Sequence, residues 1–323
     1  MNMAAQVKRR KKRVLVLHYS QTGQLTRAAR SMMRPLGEGA DIEVVWAEMT
    51  PARPYPFPWP FFAFLNVFPE SVHMVPPPMR PLNIGADERF DLVILAYQVW
   101  FLSPALPVTG FLKSGGARIL KGKPVITFIV CRNMWLTAQE KVKGLLSRCG
   151  ARLIDNAALV DQGHPLATFV TTPRWLWTGR KNGFWGVFPP AGVREADING
   201  AARFGRAIGA ALRSGKPLKA PVLAGLGAVK VNPGYVASER IAHRSFYLWG
   251  KLLRAIGGPD STARKAVLAV YAVFLVTMII TVVPASLVAR ALLRPILKKR
   301  LDDEVRRLEE PSGSGTERVS EFV

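Results

Sequence analysis

The C-terminal part of the chain holds the feature that most constrains its fold, an uncharged run of 24 residues from Ala266 to Ala289. A helix over this run would be about 36 Å long, more than the roughly 30 Å of a bilayer's hydrocarbon core. Its only polar side chains are those of Tyr271, Thr277, Thr281 and Ser286. The alternative is a buried core helix, but such a helix usually keeps a polar face. We therefore predict that the region 263–300 inserts into a membrane.

Cations on both sides of this run leave its topology open. Arg264 and Lys265 precede it, and five further cations follow it, namely Arg290, Arg294, Lys298, Lys299 and Arg300. Cationic flanks favour the cytoplasmic side, so both ends are drawn to the same face. An interruption at Pro284 would allow a re-entrant hairpin of 266–283 and 285–297, with both ends in the cytoplasm. A single span and this hairpin both remain possible.

Charge and cysteine content exclude several classes of protein. The 45 Lys and Arg residues outnumber the 22 Asp and Glu residues, for a formal net charge of +23, which predicts attraction to an anionic surface. Two cysteines, Cys131 and Cys149, are too few for a disulfide-stapled scaffold or an iron–sulfur module. The four histidines lack the i, i+4 spacing of a zinc-protease helix. We predict no metal site.

The N-terminal residues 1–12 form a predicted basic tail, because positions 8–13 are all Lys or Arg. The tail is either solvated or bound to anionic lipid. The apolar run that follows is too short for a secretion signal. The bulk of the chain is therefore expected on the cytoplasmic side of the cytoplasmic membrane.

Short apolar runs alternate with helix-compatible stretches over residues 13–215. Predicted strands cover 14–19, 42–47, 91–97, 124–130 and 151–159, and predicted helices cover about 24–34, 105–120, 135–148 and 195–213. This alternation is typical of a parallel sheet covered on both faces, so we predict a doubly wound, five-stranded α/β domain. Beyond it we predict an amphipathic, membrane-proximal region at 216–262 and a polar tail at 301–323, disordered from Pro311 onward.

Two aromatic insertions, 50–88 and 162–193, interrupt this domain. Their segments 55–68 and 169–188 hold 13 of the chain's 30 Phe, Trp and Tyr residues. These side chains either cap the sheet edges as ordinary core or form an apolar pocket or collar at a membrane interface.

A polar turn follows the first predicted strand and precedes the first predicted helix. Its residues are Ser20, Gln21, Thr22, Gly23, Gln24 and Leu25. Free N–H groups at a helix N-terminus, with nearby hydroxyls and a glycine, make such a turn a ready anion site. The chain has no Walker A, G-x-G-x-x-G or G-x-S-x-G motif, so kinase, dinucleotide-fold and hydrolase functions lose their support.

The stretch from Tyr19 to Gly23, Tyr-Ser-Gln-Thr-Gly, resembles the phosphate loop of flavodoxin-like FMN proteins, [ST]-x-T-G-x-T. The resemblance covers about 13–213. The strings at 98–104 and 131–135 resemble a group of bacterial membrane-associated flavodoxin-like proteins, some of them labelled dialkylresorcinol condensing enzymes. FMN is the implied cofactor, held by the polar turn and flanked by Gln98, Trp100, Cys131, Arg132 and Asn133. Trp100 either stacks on the flavin or belongs to the core, and Cys131 is otherwise a small buried side chain.

Two functional hypotheses follow. The first is a membrane-associated FMN oxidoreductase that acts on a lipid-soluble substrate such as a quinone, isoprenoid or aromatic lipid, with Trp59, Phe61 and Phe62 lining the substrate route. The second is a flavin-free binding or scaffold protein that uses the turn for another anion. Membrane lipid is the expected partner in both. Nucleic acid is not expected, because the cations match no nucleic-acid-binding motif.

Overall fold

The computed structural model describes residues 10–85, 88–218 and 221–323, with side chains except at 165, 282–298 and 300. Its main sheet is parallel, in the order β2-β1-β3-β6-β7. The strands are β1 (Lys12–His18), β2 (Ile42–Glu48), β3 (Leu92–Tyr97), β6 (Pro124–Cys131) and β7 (Arg152–Val160). A short antiparallel hairpin follows β3 and consists of β4 (Val99–Trp100) and β5 (Ser103–Pro104).

Helices that connect strands of the sheet include α1 (Gln24–Gly37), α3 (Leu106–Lys113) with a 3₁₀ turn at Gly115–Leu120, and α4 (Leu136–Arg148). Helices α6 (Glu195–Gly200) and α7 (Ala202–Arg213) follow the last strand, β7. Helix α1 packs against α7 so closely that a Cβ atom on Gly205 would lie 1.8 Å from the carbonyl oxygen of Met32. Every residue of β3, the central strand, is buried, as expected for a sheet covered on both faces.

This strand order is the flavodoxin-like one, in which the chain reverses direction across the sheet between β1 and β3. The prediction of a doubly wound, five-stranded parallel sheet is therefore confirmed, and each predicted strand lies within two residues of an observed one. Ligands of such sheets bind at the carboxyl ends of the strands, next to the reversal. That edge holds the turn after β1.

Each aromatic insertion contains a helix, α2 (Phe61–His73) in the first and α5 (Pro165–Thr178) in the second. Two further helices follow the α/β domain, α8 (Pro233–Ile256) and α9 (Thr262–Glu309). Helices α2, α8 and α9 share a second, smaller core, formed by Leu65, Phe68, Val72, Leu253, Leu268 and Tyr271. Helix α9 continues through Pro284, so the predicted interruption there is not seen. Among the described residues, one segment, Thr262–Thr281, is long and apolar enough to cross a membrane, by length and composition alone.

The C-terminal residues beyond α9 are packed against the domain, so the prediction of a disordered tail is wrong. The Ser312 hydroxyl donates to Asp155 Oδ1 at 2.7 Å and accepts from the backbone N–H of Asn156 at 2.8 Å. Farther along, Arg318 Nη1 donates to the carbonyl oxygen of Ala224 at 3.0 Å. Small polar residues here bond to the edge of the sheet, a role that composition alone does not distinguish from disorder.

The N-terminal basic run also differs from the prediction where it is described; its first residues, 8 and 9, lie outside the described residues. Arg10 and Lys12 pair with Asp91, and Arg13 pairs with Glu43 and Glu88. Strand β1 begins at Lys12, so the end of the run belongs to the sheet. The physical reason for this difference is that acidic residues on neighbouring segments form ion pairs with these cations.

Candidate functional site

The turn between β1 and α1 has the geometry of an anion site. Gly23 caps α1 in the left-handed region, at φ +78°, and a Cβ atom there would meet nothing within 4 Å. The Ser20 hydroxyl is buried and has no hydrogen-bond partner among the described residues. A buried hydroxyl without a partner is costly, so a ligand that bonds to it would relieve that cost.

The same turn presents backbone donors. The N–H groups that have no acceptor within the described part of the chain include four, those of Thr22, Gly23, Leu25 and Thr26. They belong to the turn and first helical residues, where a helix N-terminus also carries partial positive charge. These four N–H donors and the Ser20 hydroxyl all lie within residues 20–26. Together they fit a phosphate group.

Polar contacts from two other segments hold the turn in place. The Gln21 backbone N–H donates to Gln98 Oε1 at 2.8 Å, and its side-chain Nε2 donates to the Pro56 carbonyl at 2.7 Å. The Tyr19 hydroxyl donates to Gln21 Oε1 at 2.8 Å. Gln98, predicted to flank the flavin, therefore has its side-chain oxygen engaged in positioning the turn.

The last two predicted members of the turn serve the core rather than a ligand. Leu25 is fully buried, and the Gln24 side chain bonds to both the N–H and the carbonyl of Val193, each at 3.1 Å. The next residue, Thr26, has its hydroxyl 3.3 Å from His18 Nδ1. Side chains at positions 24–26 are thus occupied, and what this part of the turn offers a phosphate is its backbone.

Trp100 lies beside the turn in a cluster of aromatic rings. Its ring is in edge contact with those of Tyr19 at 5.8 Å, Tyr55 at 5.1 Å and Trp59 at 5.7 Å between centroids. Burial raises the pKa of both tyrosine hydroxyls above its usual value, so they stay protonated donors. Trp100 itself is half-buried. The first aromatic insertion thus reaches the strand edge that carries the turn.

The hairpin that bears Trp100 turns through two strained residues. Phe101 and Leu102 have φ of +48° and +59°, in the region that favours glycine. The Phe101 ring packs on Phe64 and Phe68 of α2, at 4.9 and 5.2 Å. Contact with α2 therefore offsets the strain and joins the Trp100 hairpin to the α2, α8 and α9 core.

The loop after β6 carries the three other predicted ligands. Burial raises the pKa of the Cys131 thiol, which keeps it protonated. Burial also lowers the pKa of Arg132 to about 10, and its guanidinium lies 4.0 Å from the centroid of the Phe169 ring while Nε donates to Thr168 at 2.9 Å. Arg132 thus contacts the second insertion. Asn133 is half-buried beside Met134, whose φ is +53°.

The three residues predicted to line a substrate route differ in exposure. Trp59 is 3% exposed and packs on Trp100, whereas Phe61 and Phe62 are 40% and 52% exposed. The Phe61 ring lies 5.1 Å from that of Trp177, so the two aromatic insertions meet at the surface. Phe61 and Phe62 thus form an outer group and Trp59 an inner one.

One residue that ties the second insertion to this edge has no signal in the sequence. Asp161 accepts from the N–H groups of Gly163 and Gly192, both at 2.8 Å, and so closes the insertion at its base. Gln24 bonds to Val193 across 169 positions of chain. An isolated aspartate and glutamine form no motif, and such long-range pairings cannot be predicted from one sequence.

No protein-family model and no curated sequence matches the chain. Among solved structures it is similar to a flavoprotein in complex with FMN from Lactobacillus acidophilus, at 16% identity over 46% of this chain and 93% of that one, with TM-score 0.37. It is also similar to an archaeal flavodoxin, at 10% identity over 62% and 99%, with TM-score 0.36. A third is two-electron reduced Megasphaera elsdenii flavodoxin, at 21% identity over 45% and 84%, with TM-score 0.27.

The strand order itself, rather than these similarities, defines the class. The chain is an α/β protein of the flavodoxin-like fold, and the turn between β1 and α1 lies at the point where the strand order reverses.

Proposed function

We propose that this protein is a membrane-associated FMN-dependent oxidoreductase that transfers electrons to or from a lipid-soluble substrate. The observation that carries the proposal is the turn at residues 20–26, with its free backbone donors and its buried, unpartnered Ser20 hydroxyl. This turn lies at the strand edge where flavodoxin-like sheets bind their ligands. The phosphate of FMN is the anion that we assign to it.

The aromatic cluster supports a flat ring system beside the phosphate. We assign Trp100 to the flavin ring, with Tyr55 and Trp59 as the outer wall of its pocket. The loop at Cys131, Arg132 and Asn133 lies at the end of the strand next to β3. FMN would supply the electron-transfer chemistry, and the chain would bind it, exclude water and admit the substrate.

The apolar surface supports the membrane as the source of substrate. Phe61 and Phe62 are exposed, and the Phe61 ring contacts that of Trp177, which is also exposed. Trp185, likewise in the second insertion, is exposed as well. Aromatic side chains favour the zone between water and acyl chains. A lipid-soluble acceptor such as a quinone would enter between Phe61 and Phe62 and reach Trp59.

Two measurements on the full chain test this proposal. Detergent-purified protein should show the absorption bands of an oxidised flavin, and acid-released flavin should be FMN. Cell fractionation should place the protein in the membrane pellet after a high-salt wash. Colourless, folded protein that still binds inorganic phosphate would instead support the flavin-free binding protein.

A further inference from the structure

We infer that α9 bends within the bilayer and returns to the side from which it started, without crossing the bilayer, so that the protein is monotopic. This inference deepens the membrane part of the proposed function and does not depend on flavin. It rests on where the two ends of α9 are held and on the length of helix between them.

Both ends of α9 are docked on the globular part of the molecule. At the start, the buried Arg264 guanidinium bonds to both carboxylate oxygens of Glu70, at 2.9 and 2.5 Å. At the end, Glu309 Oε1 accepts from the backbone N–H of Val231 at 3.0 Å, and Leu308 is buried in the main core. A helix that delivered its C-terminus across a bilayer could not make the second set of contacts.

The distances between contacts require α9 to bend. Trp249 and Phe274 lie with ring centroids 5.1 Å apart, and Arg240 forms an ion pair with Glu304. Along α8, Arg240 and Trp249 are about 13.5 Å apart, whereas a straight helix would separate Phe274 from Glu304 by about 45 Å. The difference, about 30 Å, is more than two lateral side-chain contacts can bridge. A straight helix cannot satisfy both contacts, so α9 bends between Phe274 and Glu304.

The sequence of this interval is suited to bending. It contains Pro284 and Pro295, and proline in a helix interior removes a hydrogen bond and favours a kink. The part of α9 before the bend leaves apolar side chains uncovered, those of Val270, Val273, Val276 and Ile280. Several uncovered apolar side chains along one helix indicate a binding partner. The length of helix that bears them fits lipid acyl chains better than a groove on another protein.

Charge on neighbouring elements fits an anionic lipid surface. Helix α8 carries exposed apolar residues on its outer side, Ile241, Leu248 and Leu252. Cations lie along the same helix, namely Arg240, Arg244, Lys251 and Arg254. This combination is typical of a helix that lies in the plane of the interface. We therefore place α8 at the headgroups and the bend of α9 in the leaflet beneath it.

Single-cysteine accessibility in closed membrane vesicles tests the topology. The two native cysteines are replaced, Cys131→Ser and Cys149→Ser, and one cysteine is introduced at an exposed position on either side of α9, Asp260→Cys or Ser320→Cys. Asn182→Cys, exposed in the second insertion, marks the side of the α/β domain. Each variant is treated with a membrane-impermeant maleimide in inverted and in right-side-out vesicles.

A monotopic chain predicts that all three positions react in inverted vesicles to the extent seen after detergent, and that none reacts in right-side-out vesicles. Reaction of Ser320→Cys from the side opposite to Asn182→Cys would establish a single span and overturn the inference, while membrane association stands. Recovery of the wild-type chain in the soluble fraction would instead refute the membrane part of the proposed function, and the monotopic topology with it.

Discussion

The carboxylate of Glu239 accepts a hydrogen bond from the backbone N–H of Thr137, with 2.5 Å between Oε1 and the nitrogen. Glu239 belongs to α8, and Thr137 lies in the first turn of α4, directly after the loop that carries Cys131, Arg132 and Asn133. The carboxylate thus satisfies a free donor at a helix N-terminus. Through this bond α8 is attached to the helix that directly follows the candidate flavin loop.

Removal of this carboxylate should destabilise the protein. Glu239→Ala leaves the half-buried Thr137 donor unpaired, and we expect the free energy of unfolding to fall by about 1–2 kcal/mol. Glu239→Gln keeps an acceptor oxygen at the same place and should lose clearly less. Denaturant unfolding in detergent, followed by tryptophan fluorescence, measures both. Equal stability of Glu239→Ala and the wild type would contradict this role.

The docking of the C-terminal segment gives a second prediction. Ser312→Ala removes the donor to Asp155 and the acceptor for Asn156, both buried, so we expect a loss of about 1–3 kcal/mol. Ser320→Ala, an exposed serine of the same segment, is the matched control and should leave stability unchanged. If the two variants unfold at the same denaturant concentration, the segment does not contribute to the fold.

His243 on α8 should make stability fall in acid. Burial, with smaller contributions from Lys141 and His73, lowers the pKa of His243 to about 4 from an ordinary value of 6.5. Between pH 6.5 and 4 the unfolded chain binds a proton that the folded chain does not, so stability falls as the pH falls through this window. His243→Gln should lose less stability between pH 7 and 4.5 than the wild type does. Parallel pH curves for the two proteins would contradict the assignment.

The substrate route predicts a difference between the exposed and the buried aromatic residues. The double variant Phe61→Ala, Phe62→Ala should retain FMN and ferricyanide reduction, and should raise the KM for a lipid-soluble quinone. Trp59→Ala, which opens a cavity next to Trp100, should impair both acceptors and lower stability by about 3 kcal/mol. Equal losses on quinone and ferricyanide for the Phe61 and Phe62 variant would mean that these side chains are structural.

The fold could be predicted from the sequence because each strand is a short, mainly apolar run of consecutive residues. Strand β3, for instance, is an uninterrupted apolar run that is buried on both faces, and such a run is typical of a strand in a parallel sheet. The turn at Ser20 to Gly23 could also be predicted, because the residues that indicate an anion site are consecutive in the sequence.

Contacts between distant segments could not be predicted. Tyr55 meets Trp100, and Arg132 meets Phe169, only because two insertions fold back over the sheet edge. The docking of Ser312 on Asp155 spans 157 positions, and its polar composition resembles that of a disordered tail. In each of these pairs, the contact depends on tertiary packing and cannot be predicted from the local composition.

The flavin content of Gly23 variants tests the central claim most directly. Gly23→Asp places a carboxylate where backbone N–H groups would meet the phosphate, so like-charge repulsion and bulk both oppose binding. Gly23→Ala adds the same backbone strain at φ +78° without the charge. We predict that the purified wild type contains FMN, that Gly23→Ala keeps part of it, and that Gly23→Asp folds and is colourless. Wild-type protein without flavin, or folded Gly23→Asp with the full wild-type content, would contradict the account.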